Sequence, residues 1–285
     1  MIGSRKLIYL ILIGCVSVCS LFSQDTLRIL TIGNSFSEDA VENYLYDLAC
    51  AENKIFIIGN LFIGGCSLER HWNNKNQDAP AYSYRKIDAY GIKTKTGQQT
   101  LQQGLTDEPW DYISFQQVSQ NSGLIDTYFP YLTDLIKYVR REALNPDVQL
   151  ILHQTWAYAQ DASHTGFTNY NRDQLFMYQS IVKSVNQAAA RTGITKIIPS
   201  GTALQNARSS WLGDQFCRDG FHLQISLGRY VAACTWFEAL TGIPVLGNPS
   251  FPPELAKEEV KIAQTAAHLA VVQPFQITDM GRLDF

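Results

Sequence analysis

Short apolar segments alternate with longer amphipathic segments along most of the chain, and this alternation constrains the fold more than any other feature of the sequence. The apolar segments are four to six residues long, so they predict β-strands that are covered on both faces. Strand–helix alternation without a Pro- or Ser-rich linker favours one doubly wound parallel sheet between two layers of helices. The predicted strands are residues 27–32, 55–58, 112–116, 148–152 and 194–198.

Helices are expected between these strands. Ser37 is the predicted N-cap of the first helix, because Glu38 and Asp39 would lie in its first turn and apolar residues keep helical spacing as far as Leu48. A helix at about 253–271 is expected as an addition after the core of the fold. The remaining predicted helices are residues 98–105, 129–144, 172–191 and 226–240.

Residues 80–97 interrupt the alternation. Two segments of strand-like composition, 82–87 and 92–96, flank the turn sequence Asp88-Ala89-Tyr90-Gly91. This arrangement predicts a β-hairpin inserted into the parallel fold.

The N-terminus has the order of a secretory signal peptide. Arg5 and Lys6 precede an apolar run at 7–18 and small residues at about 20–23. The run is shorter than the roughly 20 residues that span a membrane, so cleavage after residue 23 would leave 24–285 as a single domain without a membrane span. Lipoprotein processing at Cys15 and a retained N-terminal anchor are the alternatives. We therefore expect a secreted or periplasmic protein.

Composition excludes two broad classes of protein. The 285 residues are 46% hydrophobic and 12% aromatic, which is too apolar for a disordered chain. The net charge is −3, and no basic cluster lies outside the N-terminus, so nucleic acid is not an expected partner. The oligomeric state is left open.

Four cysteines follow the predicted signal peptide: Cys50, Cys66, Cys217 and Cys234. They allow three complete disulfide pairings, and the sequence does not select one. Cys50 and Cys234 lie in helix-like segments and are predicted to be buried apolar residues. No zinc-binding spacing and no acidic cluster is present, so we expect neither a metal site nor a cofactor.

Polar or glycine-containing segments follow four of the predicted strands. The carboxyl ends of parallel strands meet at one edge of a sheet, where ligands bind, so these segments predict a shared site. They are Gly33-Asn34-Ser35-Phe36-Ser37, Ile63-Gly64-Gly65-Cys66-Ser67, Gln116-Gln117-Val118-Ser119-Gln120-Asn121 and, further from its strand, Asp219-Gly220-Phe221-His222.

The residue types in these segments suit nucleophilic catalysis. Ser35 would lie at a strand end, just before a helix, and a serine hydroxyl becomes a strong nucleophile when an imidazole accepts its proton. Asp219 precedes His222 by three residues, so the carboxylate can hold one ring nitrogen while the other faces the serine.

Together the four segments resemble the four sequence blocks of the SGNH (GDSL-like) hydrolase superfamily, over residues 27–241. More specifically, the chain resembles a branch of secreted bacterial proteins whose first block reads Gly-Asn-Ser-Phe-Ser. The resemblance implies a flavodoxin-like three-layer α/β/α sandwich with a five-stranded parallel sheet, here carrying the inserted hairpin.

The resemblance also implies a role for each matching residue. Ser35 is the nucleophile, His222 the general base and Asp219 the carboxylate that orients it. The oxyanion hole comprises the Ser35 N–H, Gly65 (or Gly64 in another register) and Gln120. The third block departs from the family pattern, because Val118 and Gln120 occupy the positions of a glycine and an asparagine.

Further residues near these blocks are candidates for substrate binding, since they are polar or aromatic and follow predicted strands. Trp156 in particular could stack on a sugar ring, or it could simply pack its own loop. His164 and His268 are assigned to the surface. The candidates are Asn34, Gly64, Gln117, His71, Trp72, His153 and Trp156.

The sequence thus predicts a secreted serine esterase that removes O-acyl groups, with acetyl preferred, from carbohydrate. A lipid or lysophospholipid esterase is one alternative. A non-catalytic glycan-binding protein on the same fold is the other, and the altered third block supports it. The role of residues after 241 is left open.

Overall fold

Seven strands form one sheet in the computed structural model, which describes residues 26–282. The predicted signal peptide (1–23) and Cys15 lie outside the described residues. The strands are β1 (Thr26–Gly33), β2 (Ile55–Phe62), β3 (Tyr82–Ile87), β4 (Lys93–Gln99), β5 (Tyr112–Phe115), β6 (Gln149–His153) and β7 (Lys196–Ile198).

The sheet order is β4-β3-β2-β1-β5-β6-β7. Five neighbouring strands of this order, β2-β1-β5-β6-β7, pair in parallel, and each of them corresponds to a predicted strand. β3 and β4 form the predicted hairpin and extend the sheet beyond β2 with antiparallel pairing. The predicted parallel α/β fold is therefore confirmed.

After β1 the chain forms β2 on one side of it, and it later forms β5, β6 and β7 on the other side. The direction in which strands are added therefore reverses at β1. Because parallel crossovers are right-handed, this reversal places the connecting helices on opposite faces of the sheet. α1, α2 and α8 pack together, whereas α3, α4 and α5 form a separate group. The helices are α1 (Ser35–Val41), α2 (Leu45–Ala51), α3 (Leu68–Asn76), α4 (Leu101–Leu105), α5 (Tyr131–Glu142), α6 (Gln174–Thr192), α7 (Ser200–Arg208), α8 (Leu227–Thr241) and α9 (Lys257–Val272).

The prediction for the first helix was wrong in two respects. Asn34, not Ser37, is the N-cap, and its side-chain oxygen accepts a hydrogen bond from the Phe36 N–H at 3.0 Å. Ser37 instead donates its hydroxyl to the Asn34 carbonyl at 2.7 Å. The helix also stops at Val41 and resumes as α2, because Tyr44 adopts a left-handed conformation with φ of 59°.

The last helix, α9, starts at Lys257, four residues later than predicted, and packs on α7 and α8. His268 of α9 is half-buried rather than a free surface residue, because its Nδ1 lies 2.7 Å from Glu238 Oε1 of α8. The segment after 241 therefore forms an outer layer over α8. Between residues 26 and 282, no helix has the length and hydrophobicity needed to cross a membrane.

The four cysteines of the described region are all free thiols. Cys234 is buried as predicted, but Cys50 is exposed, because it occupies the outer face of α2. In the same region, no group of three or more His, Cys, Asp or Glu side chains could hold a metal ion.

Candidate active site

The first three polar segments meet at the carboxyl edge of the parallel strands, and hydrogen bonds join them. Asn34 Nδ2 donates to the Cys66 carbonyl at 3.0 Å, which connects the first segment to the second. Gln116 Nε2 donates to Asn34 Oδ1 at 2.8 Å, which connects the first to the third. Gln117 Oε1 accepts from the Leu68 N–H at 3.1 Å, which connects the second to the third.

Ser35 is the first residue of α1 and is partly exposed. Within residues 26–282, neither its hydroxyl nor its backbone N–H has a hydrogen-bond partner. Both groups are therefore available to a substrate.

Asp219 and His222 form a tight pair at the tip of a narrow loop. Asp219 Oδ2 lies 2.6 Å from His222 Nδ1, and Oδ1 accepts from the backbone N–H groups of Phe221 and His222 at 3.2 and 2.8 Å. Partial burial raises the pKa of the Asp219 carboxyl, but these hydrogen bonds outweigh it, so the pKa lies below its usual value. The carboxylate therefore keeps the proton of neutral His222 on Nδ1 and leaves Nε2 as an acceptor.

Asp39 fastens this loop to the helix that Ser35 begins. Asp39 is fully buried on α1, where its Oδ2 accepts from the Leu223 N–H at 2.7 Å. Its Oδ1 lies 3.2 Å from Arg218 Nη1 and 2.7 Å from Arg229 Nη2. Leu223 also pairs with Cys217 in an isolated antiparallel bridge, which closes the loop around Asp219 and His222.

Aromatic contacts make a second connection between α1 and the loop that carries Asp219 and His222. The Phe36 ring stacks on Trp156 with centroids 4.1 Å apart, and its edge faces the His222 ring at 6.2 Å. Trp156 Nε1 donates to the Phe221 carbonyl at 2.8 Å. The serine helix and the histidine loop are thus held side by side, although no hydrogen bond joins Ser35 to His222 in the part of the chain described.

Gly65, predicted as an oxyanion donor, lies in a turn that favours glycine. Its φ of +60° favours glycine, a Cβ there would meet nothing within 4 Å, and the residue is exposed in the turn after β2. Its N–H has no partner in the described region, and the neighbouring Gly64 is likewise exposed.

Gln120 lies in a one-turn 3-10 helix, Ser119–Asn121, and is partly exposed. Its carbonyl accepts from Asn169 Nδ2 and from the Tyr170 hydroxyl, both at 3.1 Å. Its side-chain Oε1 accepts from the Ser119 hydroxyl at 3.4 Å, so its Nε2 is left as a possible donor.

Five of the predicted substrate contacts are wrong, because their side chains are buried and already bonded. Trp156 is fully buried beneath the loop that carries Asp219 and His222, so it cannot stack on a sugar. His71 lies on the buried face of α3, where its Nδ1 is 3.0 Å from the Tyr82 hydroxyl. The other three, Asn34, Gln117 and His153, are at most 3% exposed.

Trp72 is half-buried, and its ring lies 4.9 Å from Lys75 Nζ on the same helix. Lys75 Nζ also lies over Tyr138 of α5. Nothing between residues 26 and 282 links Trp72 to Ser35 or His222.

Two residues of the site were not predicted. His164, assigned to the surface, packs against Phe221 with ring centroids 4.9 Å apart, and its partial burial lowers its pKa. Asp39 was expected only to favour the helix dipole, yet it anchors the histidine loop. An acidic side chain among the apolar positions of a helix is a signal that could have identified it; no such signal marks His164.

A family model for a domain of unknown function, DUF4886, matches residues 28–270. A DUF4886 family protein from Bacteroides uniformis, known from a crystal structure, is 53% identical with a TM-score of 0.88, over 90% of this chain and 98% of that one. Axe2, an acetylxylan esterase from Geobacillus stearothermophilus, is 13% identical with a TM-score of 0.49, over 76% and 96%. TesA is 12% identical with a TM-score of 0.48, over 75% and 98%. No curated protein matches the chain.

Proposed function

The chain belongs to the DUF4886 family of domains of unknown function, and we propose that it is a serine esterase of the SGNH type with Ser35, His222 and Asp219 as its triad. The observation that carries the proposal is the Asp219–His222 pair, fastened by Asp39 and by Trp156 to the helix that begins with Ser35.

The reaction starts when Ser35 Oγ attacks the ester carbonyl and His222 Nε2 accepts the hydroxyl proton. The negative charge on the carbonyl oxygen is stabilised by the N–H groups of Ser35 and Gly65 and by the Gln120 amide. Collapse of this intermediate breaks the ester bond, and His222 returns the proton to the leaving alcohol. Water, deprotonated by His222, then releases the acid and regenerates Ser35.

Asp219 orients His222 throughout and stabilises the imidazolium that forms. Its lowered pKa keeps it ionised at neutral pH, which is the state this role requires.

We propose O-acyl carbohydrate as the substrate class, with acetyl as the acyl group, and export through the N-terminal segment as its route to such substrates. Glu38, one turn of α1 after Ser35, lines a cleft of about 340 Å³ whose residues are mostly polar or charged, although none of the proposed triad or oxyanion residues lines it. Such side chains bind sugar hydroxyls better than lipid chains. They include Glu38, Glu42, Asn60, Arg85 and Lys93.

Hydrolysis of nitrophenyl acetate, butyrate and octanoate by residues 24–285 tests this function. We expect the acetate to react fastest, and Ser35→Ala to lower its rate by at least about three orders of magnitude. Ser180→Ala is the control, because Ser180 lies on α6 and its hydroxyl donates to the Phe176 carbonyl of the same helix, away from the proposed site.

Rates that rise towards octanoate would favour the lipid esterase instead. Activity that persists in Ser35→Ala would contradict the proposed site. Binding of acetylated oligosaccharides without hydrolysis of any ester would favour the glycan-binding protein.

A further inference from the structure

A chain of hydrogen-bonded side chains runs beneath the candidate site, across the ends of three strands. Ser200, the first residue of α7, lies 3.0 Å from His153 Nε2, and His153 Nδ1 lies 2.8 Å from Gln116 Oε1. Gln116 Nε2 donates to Asn34 Oδ1 at 2.8 Å, and Asn34 Nδ2 donates to the Cys66 carbonyl at 3.0 Å.

Backbone groups fix the direction of every bond in this chain. The Phe36 N–H can only donate and the Cys66 carbonyl can only accept, so the Asn34 amide has one possible orientation. Gln116 must then present its NH₂ to Asn34 and its oxygen to His153. His153 must therefore carry its proton on Nδ1 and accept the Ser200 hydroxyl proton at Nε2.

The chain is closed to solvent. Ser200, His153, Gln116 and Asn34 are each at most 3% exposed. Burial lowers the pKa of His153 to about 3, so that the imidazole is neutral at the pH of ester hydrolysis. A buried polar network with every member paired resists rearrangement, because each broken bond leaves an unsatisfied group.

We propose that this chain positions the two backbone donors of the oxyanion hole and that His153 is a positioning residue which acts through Gln116 and Asn34. Asn34 precedes Ser35 and caps its helix, while the carbonyl that Asn34 holds belongs to Cys66, next to Gly65. The side-chain amide of Asn34 thus fixes the position of the Ser35 N–H relative to that of the Gly65 N–H. The inference rests on the proposed esterase function.

His71 supplies a matched control within the same molecule. Like His153 it is a fully buried histidine whose pKa burial lowers to about 3. Its hydrogen bond, however, goes to Tyr82 of the hairpin and does not lead to Asn34. If His153 only filled the core, its substitution would lower kcat no more than the substitution of His71 does.

The test compares His153→Phe with His71→Phe in residues 24–285, by kcat and KM for nitrophenyl acetate and by thermal unfolding. We expect both variants to lose stability. Only His153→Phe should lower kcat, by about tenfold to a hundredfold with little change in KM, because displaced donors weaken transition-state binding. His153→Asn, whose amide can still donate to Gln116, should recover most of this loss and also serves if the phenylalanine variant does not fold.

Equal kcat values for the two phenylalanine variants would overturn the inference. A wild type without Ser35-dependent hydrolysis would instead overturn the proposed function, so the two failures are distinguishable.

Nitrogen-15 NMR of the imidazole tests the chain without any activity measurement. His153 should be protonated on Nδ1 and unprotonated on Nε2 from about pH 5 to about pH 8. The opposite tautomer, or an imidazolium in this range, would contradict the directions derived above.

Discussion

His222 depends on Asp219 for its tautomer and its orientation, and Asp219 in turn is held by two backbone N–H groups of the same loop. The amide of Asp219→Asn can keep the backbone bonds, but its NH₂ group can turn towards Nδ1 and favour the wrong tautomer. We expect kcat for nitrophenyl acetate to fall by between about a hundredfold and about ten-thousandfold. Asp161→Asn, an exposed acid of a neighbouring loop, should leave kcat unchanged. A loss of less than about tenfold in Asp219→Asn would argue against this role.

Gln120 is the member of the oxyanion hole that departs most from the family pattern. Because an oxyanion donor acts in the transition state, Gln120→Ala should lower kcat by about a hundredfold and leave KM nearly unchanged. Gln102→Ala provides a control, since Gln102 is exposed and its side-chain amide bonds only to Glu142 among residues 26–282. An unaltered kcat in Gln120→Ala would assign Gln120 a structural role.

At the scale of elements, Asp39 connects α1 to the histidine loop. Asp39→Asn keeps an acceptor for the Leu223 N–H but leaves Arg218 and Arg229 without their buried counter-charge. We expect the free energy of unfolding in urea to fall by about 3 to 5 kcal/mol, and kcat to fall with it as the loop loosens.

The control for this experiment is Asp47→Asn, which removes an exposed acid from α2. If Asp39→Asn changed neither stability nor kcat relative to Asp47→Asn, the loop would have to be held by other contacts.

The five parallel strands could be predicted because each contains a short apolar run, a property of the local sequence alone. α3 and α7 could not, since their residues are mostly polar or small and include few apolar side chains. The N-cap of α1 was assigned to Ser37 because the partners that orient Asn34 come from Cys66 and Gln116, remote in sequence.

Contacts between residues remote in sequence also limited the prediction of the candidate site. Ser35, Asp219 and His222 could be identified because the order of four segments along the chain is a sequence property. Trp156 and His153 were misplaced at the rim because they follow the predicted strand 148–152. Contacts with residues remote in sequence, among them Phe36 of α1 and Trp236 of α8, enclose them.

At the scale of the whole molecule, the buried histidines should make stability depend on pH. Burial lowers the pKa of both His71 and His153 to about 3, whereas the unfolded chain takes up these protons near pH 6.5. The unfolded state therefore binds more protons below about pH 6.5, and each histidine lowers the free energy of unfolding by about 1.4 kcal/mol per pH unit as the pH falls towards about 3.

His71→Phe should remove one of these contributions. Urea unfolding between about pH 6 and about pH 4 should give a slope about 1.4 kcal/mol per pH unit shallower than in the wild type. The comparison uses slopes, because the substitution also changes stability at every pH. Parallel curves would mean that His71 binds its proton equally well in the folded state.

The central claim is that Ser35 is an activated nucleophile, and covalent labelling with a fluorophosphonate tests it most directly. Intact-mass and peptide analysis of residues 24–285 should show one phosphonyl group, located on Ser35. Labelling should disappear in Ser35→Ala, slow strongly in His222→Ala and persist in Ser180→Ala. No labelling of the folded wild type, or labelling that survives in Ser35→Ala, would contradict the account.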